Sequence, residues 1–186
     1  CLSRGLGDVY KRQLIRRFSP DCIVSTGVAG GIDACLKVTD VVASQRLVYH
    51  DVWCGDGNEY GQVQGFPASY EGCPSLLRHA LSLNEAGMES RIHSGLVCTG
   101  DRFITNRMEL DTIKQRFPGG LAVDMESAAI AQTCHLYNVP FLSFRIISDT
   151  PGVEDHASQY ADFWGTMAER SFLTIWTFLS TLPSNL

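Results

Sequence analysis

Residues 121–129 (LAVDMESAA) constrain the fold of this chain more than any other stretch, because an apolar strand pattern passes into a helix-forming pattern with Met125 and Glu126 at the junction. In an open α/β sheet, the carboxyl end of a strand faces the crevice where small molecules bind. A glutamate there cannot be buried cheaply without a partner, so it is set to touch a ligand. Residues 140–149 (PFLSFRIISD) repeat the design, with Arg145 inside a buried-strand pattern and Asp149 at its end. Two strand ends each deliver an acid, and a cation lies between them.

The remaining segments alternate. Residues 21–26 are a β-branched run that ends in a glycine loop at 27–31, where backbone can approach a ligand closely. Residues 40–50 predict a second strand. The aromatic- and glycine-rich stretch 53–70 has no clear period and predicts a long loop, a kind that is usually functional or interfacial. A helix is expected over 74–86, with Gly87 as its stop signal. Next come a strand over Ile92–Thr99 and a helix opened by Asn106 and Glu109 and running to Arg116. Ser127–Tyr137 predicts an alanine-rich helix. One terminal helix is expected over 158–182, with Tyr160, Phe163, Trp164, Met167, Phe172, Ile175 and Leu179 as its core stripe. Strand and helix in alternation mean an α/β layer fold, here without internal repeat or second domain.

Composition narrows the function classes. A chain of 186 residues with 45% apolar content reads as one domain with a substantial core. Its apolar runs are far shorter than the ~20 residues that span a bilayer, and no secretory-type leader opens it. A net charge of -5 without a Lys/Arg cluster argues against nucleic acid and for a small-molecule target. Seven cysteines without a C-x-x-C pair read as reduced cytoplasmic thiols, and the five histidines lack metal-ligand spacing. No metal or cofactor is expected.

The segments STGVAGGI (25–32), YHD (49–51), EYGQ (59–62), TGDRFI (99–104), AVDMESAAIA (122–131) and RIISD (145–149) stand in order and in register. Together they resemble the purine nucleoside phosphorylase/nucleosidase superfamily, and most closely its 5'-methylthioadenosine/S-adenosylhomocysteine nucleosidases. The resemblance implies a three-layer α/β/α domain with a central mixed sheet, of the phosphorylase/hydrolase-like fold. It also implies a cytoplasmic homodimer that uses water to release adenine from methylthioadenosine, S-adenosylhomocysteine and 5'-deoxyadenosine, in methionine salvage.

By the same resemblance Asp149 is the acid that donates a proton toward purine N7, which requires a protonated carboxyl. Glu126 binds the ribose hydroxyls, and its charge favours the oxocarbenium-like sugar of the transition state. Met125 lies under the sugar face, Phe103 stacks on adenine, and the Ile104 backbone reads the base edge. Arg145 orients Glu126 and the attacking water. Val28, Ala29, Gly30, Ser148 and Tyr160 complete the expected substrate contacts. Tyr60 and Phe66, in the 53–70 loop, are expected to cover the 5'-alkylthio tail of the partner subunit's substrate.

Hydrolysis rather than phosphorolysis is read from the glycine segment. The bacterial phosphorylases carry Arg and Ser around this turn, whereas the matching positions here are Ser25 and Val28, so phosphate loses a bidentate partner. Val28 also departs from the serine common in the nucleosidases. Family members begin with a strand bearing the glutamate that activates water; residues 1–13 (CLSRGLGDVYKRQ) match nothing in the family and resemble translated adapter sequence. The expectation is a non-family leader over 1–13, a domain over 14–186 lacking its first strands, and little or no turnover by the chain alone. Futalosine-type nucleosidases, phosphorylases and a non-catalytic nucleoside-binding module are the alternatives.

Taken singly, each residue has a second reading. Glu126 could serve the helix dipole, Asp149 an N-cap, and Arg145 a structural ion pair. Phe103 and Met125 could be ordinary core, and His50-Asp51 reads as structural.

Overall fold

The computed structural model describes residues 2–87, 90–150 and 156–183. In chain order the elements are α1 (Leu2–Phe18), β1 (Ile23–Gly31), β2 (Val41–Tyr49), β3 (Tyr70–Glu71), α2 (Pro74–Ser82), β4 (Ile92–Thr99), α3 (Arg107–Arg116), β5 (Gly120–Asp124), α4 (Ser127–Tyr137), β6 (Phe141–Asp149), α5 (His156–Asp162) and α6 (Ala168–Ser180). The strands form one mixed sheet in the order β3-β2-β4-β5-β1-β6. β1 runs parallel to β6, and β4 parallel to both β2 and β5. β2 also pairs antiparallel with β6, with Val41 opposite Ile146, so five strands close on themselves and β3 stays outside on β2. Helices pack on both sides of this curled sheet, as expected for the fold class.

Period-two alternation sorts the side chains into separate cores. On β2, Val41 and Ala43 join an apolar cluster with Leu76, Ala80, Phe163 and Phe178, which seats α2 and α6. Val42 points the other way, into a cluster with Ile130, Ala131 and Cys134 of α4. A third cluster joins Leu110 and Ile113 of α3 to Val48, Cys98 and Val123. β6 is buried along its whole length, which is why Arg145 and Asp149 stand out in it.

Local signals in the sequence have local causes in the structure. Asn106 Oδ1 accepts a hydrogen bond from the Glu109 N–H at 2.9 Å, an N-cap for α3. Gly87, with φ 72°, closes the 3-10 turn Leu83–Ala86 that ends the α2 segment. Between Val52 and Ser69 the chain forms turns without helix or strand.

Two expectations are corrected. The glycines at 27–31 are not a loop but the second half of β1, which continues through them beside β6 with a register shift between Ala29 and Gly30. The terminal helix is not continuous, because a π-helical turn at Phe163–Met167 separates α5 from α6. A π turn takes more residues than an α turn, so the buried face shifts along the sequence. Phe163, Thr174 and Phe178 face inward, whereas Trp164, Phe172 and Leu179 are exposed. The Met167 side chain lies outside the described residues.

The stretch 2–13 shares the single helix α1 with 14–18. Ile15 is its buried residue among the described side chains.

Candidate active site

A cavity of about 340 Å³ opens where β5 and β6 end. Gly27, Val28, Ala29 and Gly30 of β1 form one wall, and Arg145, Ser148 and Asp149 of β6 form the next. Val123 and Asp124 close β5 there, followed by Met125 and Glu126; Arg102, Phe103 and Ile104 come from the loop after β4, and Tyr160 and Trp164 from the last helical segment. The structure therefore brings together Asp149, Glu126, Arg145, Val28, Ala29, Gly30, Phe103, Ile104, Met125, Ser148 and Tyr160, every residue the sequence reading assigned to the subunit's own site.

Tyr60 and Phe66 are not among the lining residues of this chain. Tyr60 stacks on Trp53, with ring centroids 6.1 Å apart, and lies under the Arg116 guanidinium at 3.9 Å. The Phe66 N–H bonds the Val63 carbonyl, within the turns of the 53–70 loop.

The charges at the β5 end form a graded set. Arg145 is buried, and its Nε donates to Asp124 Oδ2 at 2.8 Å and to Ser127 Oγ at 3.0 Å. Its Nη2 donates to Ser25 Oγ at 3.2 Å and stands 3.6 Å from Glu126 Oε2, while Nη1 reaches the Thr26 carbonyl at 3.4 Å. Asp124 also accepts from the Thr99 hydroxyl at 2.6 Å and from the Ser127 hydroxyl. The Asp124 side chain is 1% exposed and that of Glu126 is 50% exposed. Arg145 thus pairs with both carboxylates, closely with Asp124 and more loosely with Glu126, the residue that the sequence reading expects it to orient. A buried cation needs a partner with good geometry, and only the last residue of β5 lies deep enough to give it.

Gly27 makes this possible, since a Cβ at that position would lie 2.2 Å from Arg145 Nη1. That close approach explains one glycine of the 27–31 run.

At the β6 end the Ser148 hydroxyl donates to Asp149 Oδ1 at 2.5 Å and lies 3.4 Å from the Ala29 carbonyl. Asp149 is buried, so the hydroxyl fixes the rotation of a carboxyl group withdrawn from bulk water. Across the cavity the Phe103 ring meets Tyr160 edge-on at 5.6 Å, and Tyr160 meets Trp164 at 6.2 Å. Arg102 pairs with Glu109 at the rim. An apolar, aromatic end and an acidic end face each other across one space, which suits a flat base joined to a hydroxylated ring.

Sequence reading missed Asp124, Gly27, Arg102, Val123 and Trp164 as lining residues. A signal for Asp124 was present, because an Asp and an Arg embedded in two buried strands must find each other. Trp164 was assigned to the core by helical periodicity, and the π turn places it at the cavity instead. Among the described residues no three His, Cys, Asp or Glu side chains group to hold a metal ion.

Comparison with known proteins follows the same lines. The family model described as "Phosphorylase superfamily" matches residues 7–180. A 5'-methylthioadenosine/S-adenosylhomocysteine nucleosidase of Chromohalobacter salexigens is 43% identical over 162 residues, covering 84% of this chain and 69% of that protein. One from a Geobacillus species is 37% identical, covering 97% of this chain and 80% of its own length. Among solved structures, the nucleosidase of Neisseria meningitidis in complex with methylthio-immucillin-A superposes with a TM-score of 0.86 at 34% identity, over 94% of this chain and 76% of that one. The Colwellia psychrerythraea nucleosidase in complex with adenine gives 0.87 at 34% identity, over 96% and 74%. With this fold, this cavity and these relatives, the chain belongs to the 5'-methylthioadenosine/S-adenosylhomocysteine nucleosidase family of the phosphorylase superfamily.

Proposed function

We propose that the chain hydrolyses the N-ribosidic bond of 5'-methylthioadenosine and S-adenosylhomocysteine, releasing adenine, with water as co-substrate. The observation that carries this reading is the meeting of Asp149, Glu126, Met125 and Phe103 around a single cavity. Leaving purines need a proton at N7, and Asp149, held by Ser148, is the buried acid placed to give it. The sugar gains positive character as the bond stretches. Glu126, half-exposed to the cavity, holds the ribose hydroxyls and stabilises that charge more in the transition state than in the ground state. Phe103 stacks on the base, Ile104 backbone reads its edge, and Met125 supports the sugar face; Val28, Ala29, Gly30 and Tyr160 shape the remaining wall.

Water is favoured over phosphate as acceptor. The glycine segment carries Ser25 and Val28 where a phosphate-holding pair would stand, and the guanidinium beside it is already bound to Asp124. The test is chromatography of adenine released from methylthioadenosine at enzyme excess, with and without phosphate. Release that does not change with phosphate supports hydrolysis; release that rises with phosphate assigns the chain to phosphorolysis, and adenosine-analogue binding without release assigns it to a binding module.

Residues 14–186 form the single nucleoside-binding domain of this reading. The exposed Trp53, stacked on a partly buried Tyr60, favours a homodimer in which the 53–70 loop, with Tyr60 and Phe66, reaches the partner subunit's substrate. Among the described residues no helix is long and apolar enough to cross a membrane, and a cytoplasmic location fits the substrate.

A further inference from the structure

One guanidinium faces two carboxylates at the β5 end, and the structure distributes it unequally. Asp124 sits 2.8 Å from Arg145 Nε, whereas Glu126 stands 3.6 Å from Nη2. The hydroxyls of Thr99 and Ser127 also point at Asp124, and Ser127 is held in turn by Ser143 Oγ at 2.6 Å. Buried charges interact strongly because little water screens them, while a half-exposed carboxylate at 3.6 Å is weakly held. A full pairing of Arg145 with Glu126 would turn the Glu126 oxygens away from any hydroxyl donor.

We propose that Asp124 is a positioning residue for the sugar end of the site: by taking the charge of Arg145 it keeps the Glu126 carboxylate available to the ribose hydroxyls of the bound nucleoside. This rests on the function proposed above and adds a division of labour between two acids two positions apart. The deep acid neutralises the cation. The shallow acid keeps its charge for the ligand. Thr99 and Ser127 fix the deep acid, which explains why the sequence ending β4 and the first residue of α4 are hydroxyl side chains directed at the same carboxylate.

Calorimetric titration with two probes tests it: adenine, which has no sugar, and 5'-methylthiotubercidin, a 7-deaza nucleoside with both ribose hydroxyls. In Asp124→Asn, Arg145 is released toward Glu126, and methylthiotubercidin affinity is expected to fall about tenfold to a hundredfold, the range for a lost charged hydrogen bond. Adenine affinity should stay within about twofold of wild type, because the base end does not touch this network. In the Glu126→Gln background the same Asp124→Asn change should add less than about twofold, since the residue acts through Glu126. Where Asp124→Asn does not fold by thermal denaturation, Asp124→Glu is read instead: it keeps a charge on Arg145 and should hold methylthiotubercidin affinity within about threefold of wild type, and a loss of about tenfold confined to the nucleoside would overturn the charge argument. Equal losses for adenine and nucleoside, or losses that add fully in the Glu126→Gln background, reduce Asp124 to a structural ion pair and overturn the inference. Wild-type chain that binds neither probe removes the proposed function, and this inference with it.

Discussion

At one end of the cavity the buried side chains of Asp124, Arg145 and Asp149 sit on β5 and β6, the strands that pair with β1 on either side; at the other, Phe103 and Trp164 are about half exposed, 52% and 53%, and project from a loop and a π turn. The acidic end is preorganised. Its groups are held by backbone ladders and by the Thr99, Ser127 and Ser148 hydroxyls, so little reorganisation is needed when charge develops in the sugar. The aromatic end holds its rings mainly by edge contacts with one another. In the proposed function, chemistry therefore falls to the strand ends and affinity for the base to the more adaptable side.

The largest expected effect tests the first half of that comparison. Asp149→Asn keeps the shape of the side chain and removes its ability to deliver a proton. Adenine release from methylthioadenosine should fall about a hundredfold to ten-thousandfold, the usual worth of a general acid, while the affinity for adenine, whose ring keeps N7, changes by only a few fold because the Asn amide still donates a hydrogen bond there. A parallel loss of binding would place Asp149 in ground-state recognition instead.

Phe103→Ala tests the other half. Loss of one stacking face should weaken adenine about tenfold by calorimetric titration, with adenine release at saturating nucleoside nearly unchanged. A drop in the saturated rate comparable to that of Asp149→Asn would erase the distinction between the two ends.

How far each end was legible in the sequence follows from the same physics. Strand ends announce themselves, because a charged residue that closes an apolar run has few places to go; Glu126, Arg145 and Asp149 were all found this way. Asp124 carries no motif of its own: Glu126, two positions on, holds the strand-end signal, and only depth of burial shows that Arg145 pairs more closely with Asp124 than with Glu126. On the aromatic side Phe103 and Tyr160 came from the family likeness rather than from any pattern. Trp164 was misread, since helical periodicity assumes a constant residue count per turn and Phe163–Met167 breaks it. The closure of the sheet through β2 and β6 is a long-range pairing between residues about a hundred positions apart, and no local signal encodes it. By contrast the α3 cap at Asn106 and the stop at Gly87 are local, and both were readable.

Rigidity at the acidic end can be probed without touching a ligand group. A Cβ on Gly27 would overlap Arg145 Nη1, and the guanidinium is fixed by Asp124, Ser127 and Ser25. Gly27→Ala should therefore destabilise by about 1–3 kcal/mol, the cost of overpacking a fixed interior. Gly119, where an added Cβ meets nothing within 4 Å, supplies the control. Comparable melting temperatures for Gly27→Ala and Gly119→Ala would show that Arg145 yields more easily than its hydrogen bonds suggest.

The smallest effect concerns what steadies the loop side. Lys114 of α3 donates to Asp33 Oδ2 at 2.7 Å and to the Gly120 carbonyl at 2.9 Å, tying α3 to the chain beyond β1 and to the start of β5. α3 follows the Phe103 loop, and its Leu110 and Ile113 pack with Ile104, so this staple lies behind the aromatic end. The hydrogen bond from Lys114, helped by the Cys35 N–H, lowers the Asp33 pKa from 3.8 to about 2. A carboxyl whose folded pKa lies below its unfolded one contributes stability above the unfolded value and loses it as pH falls through the folded one. Thermal denaturation should therefore show wild type more stable than Asp33→Asn near neutral pH by about 2–4 °C, for a partly buried, solvent-screened pair worth about 1 kcal/mol. That gap should close between about pH 4 and pH 2 as the wild-type carboxyl takes up its proton. A gap that persists unchanged at pH 2 would mean that the carboxylate charge of Asp33 is not what separates the two proteins, and that the ion pair with Lys114 does not steady α3 behind the Phe103 loop.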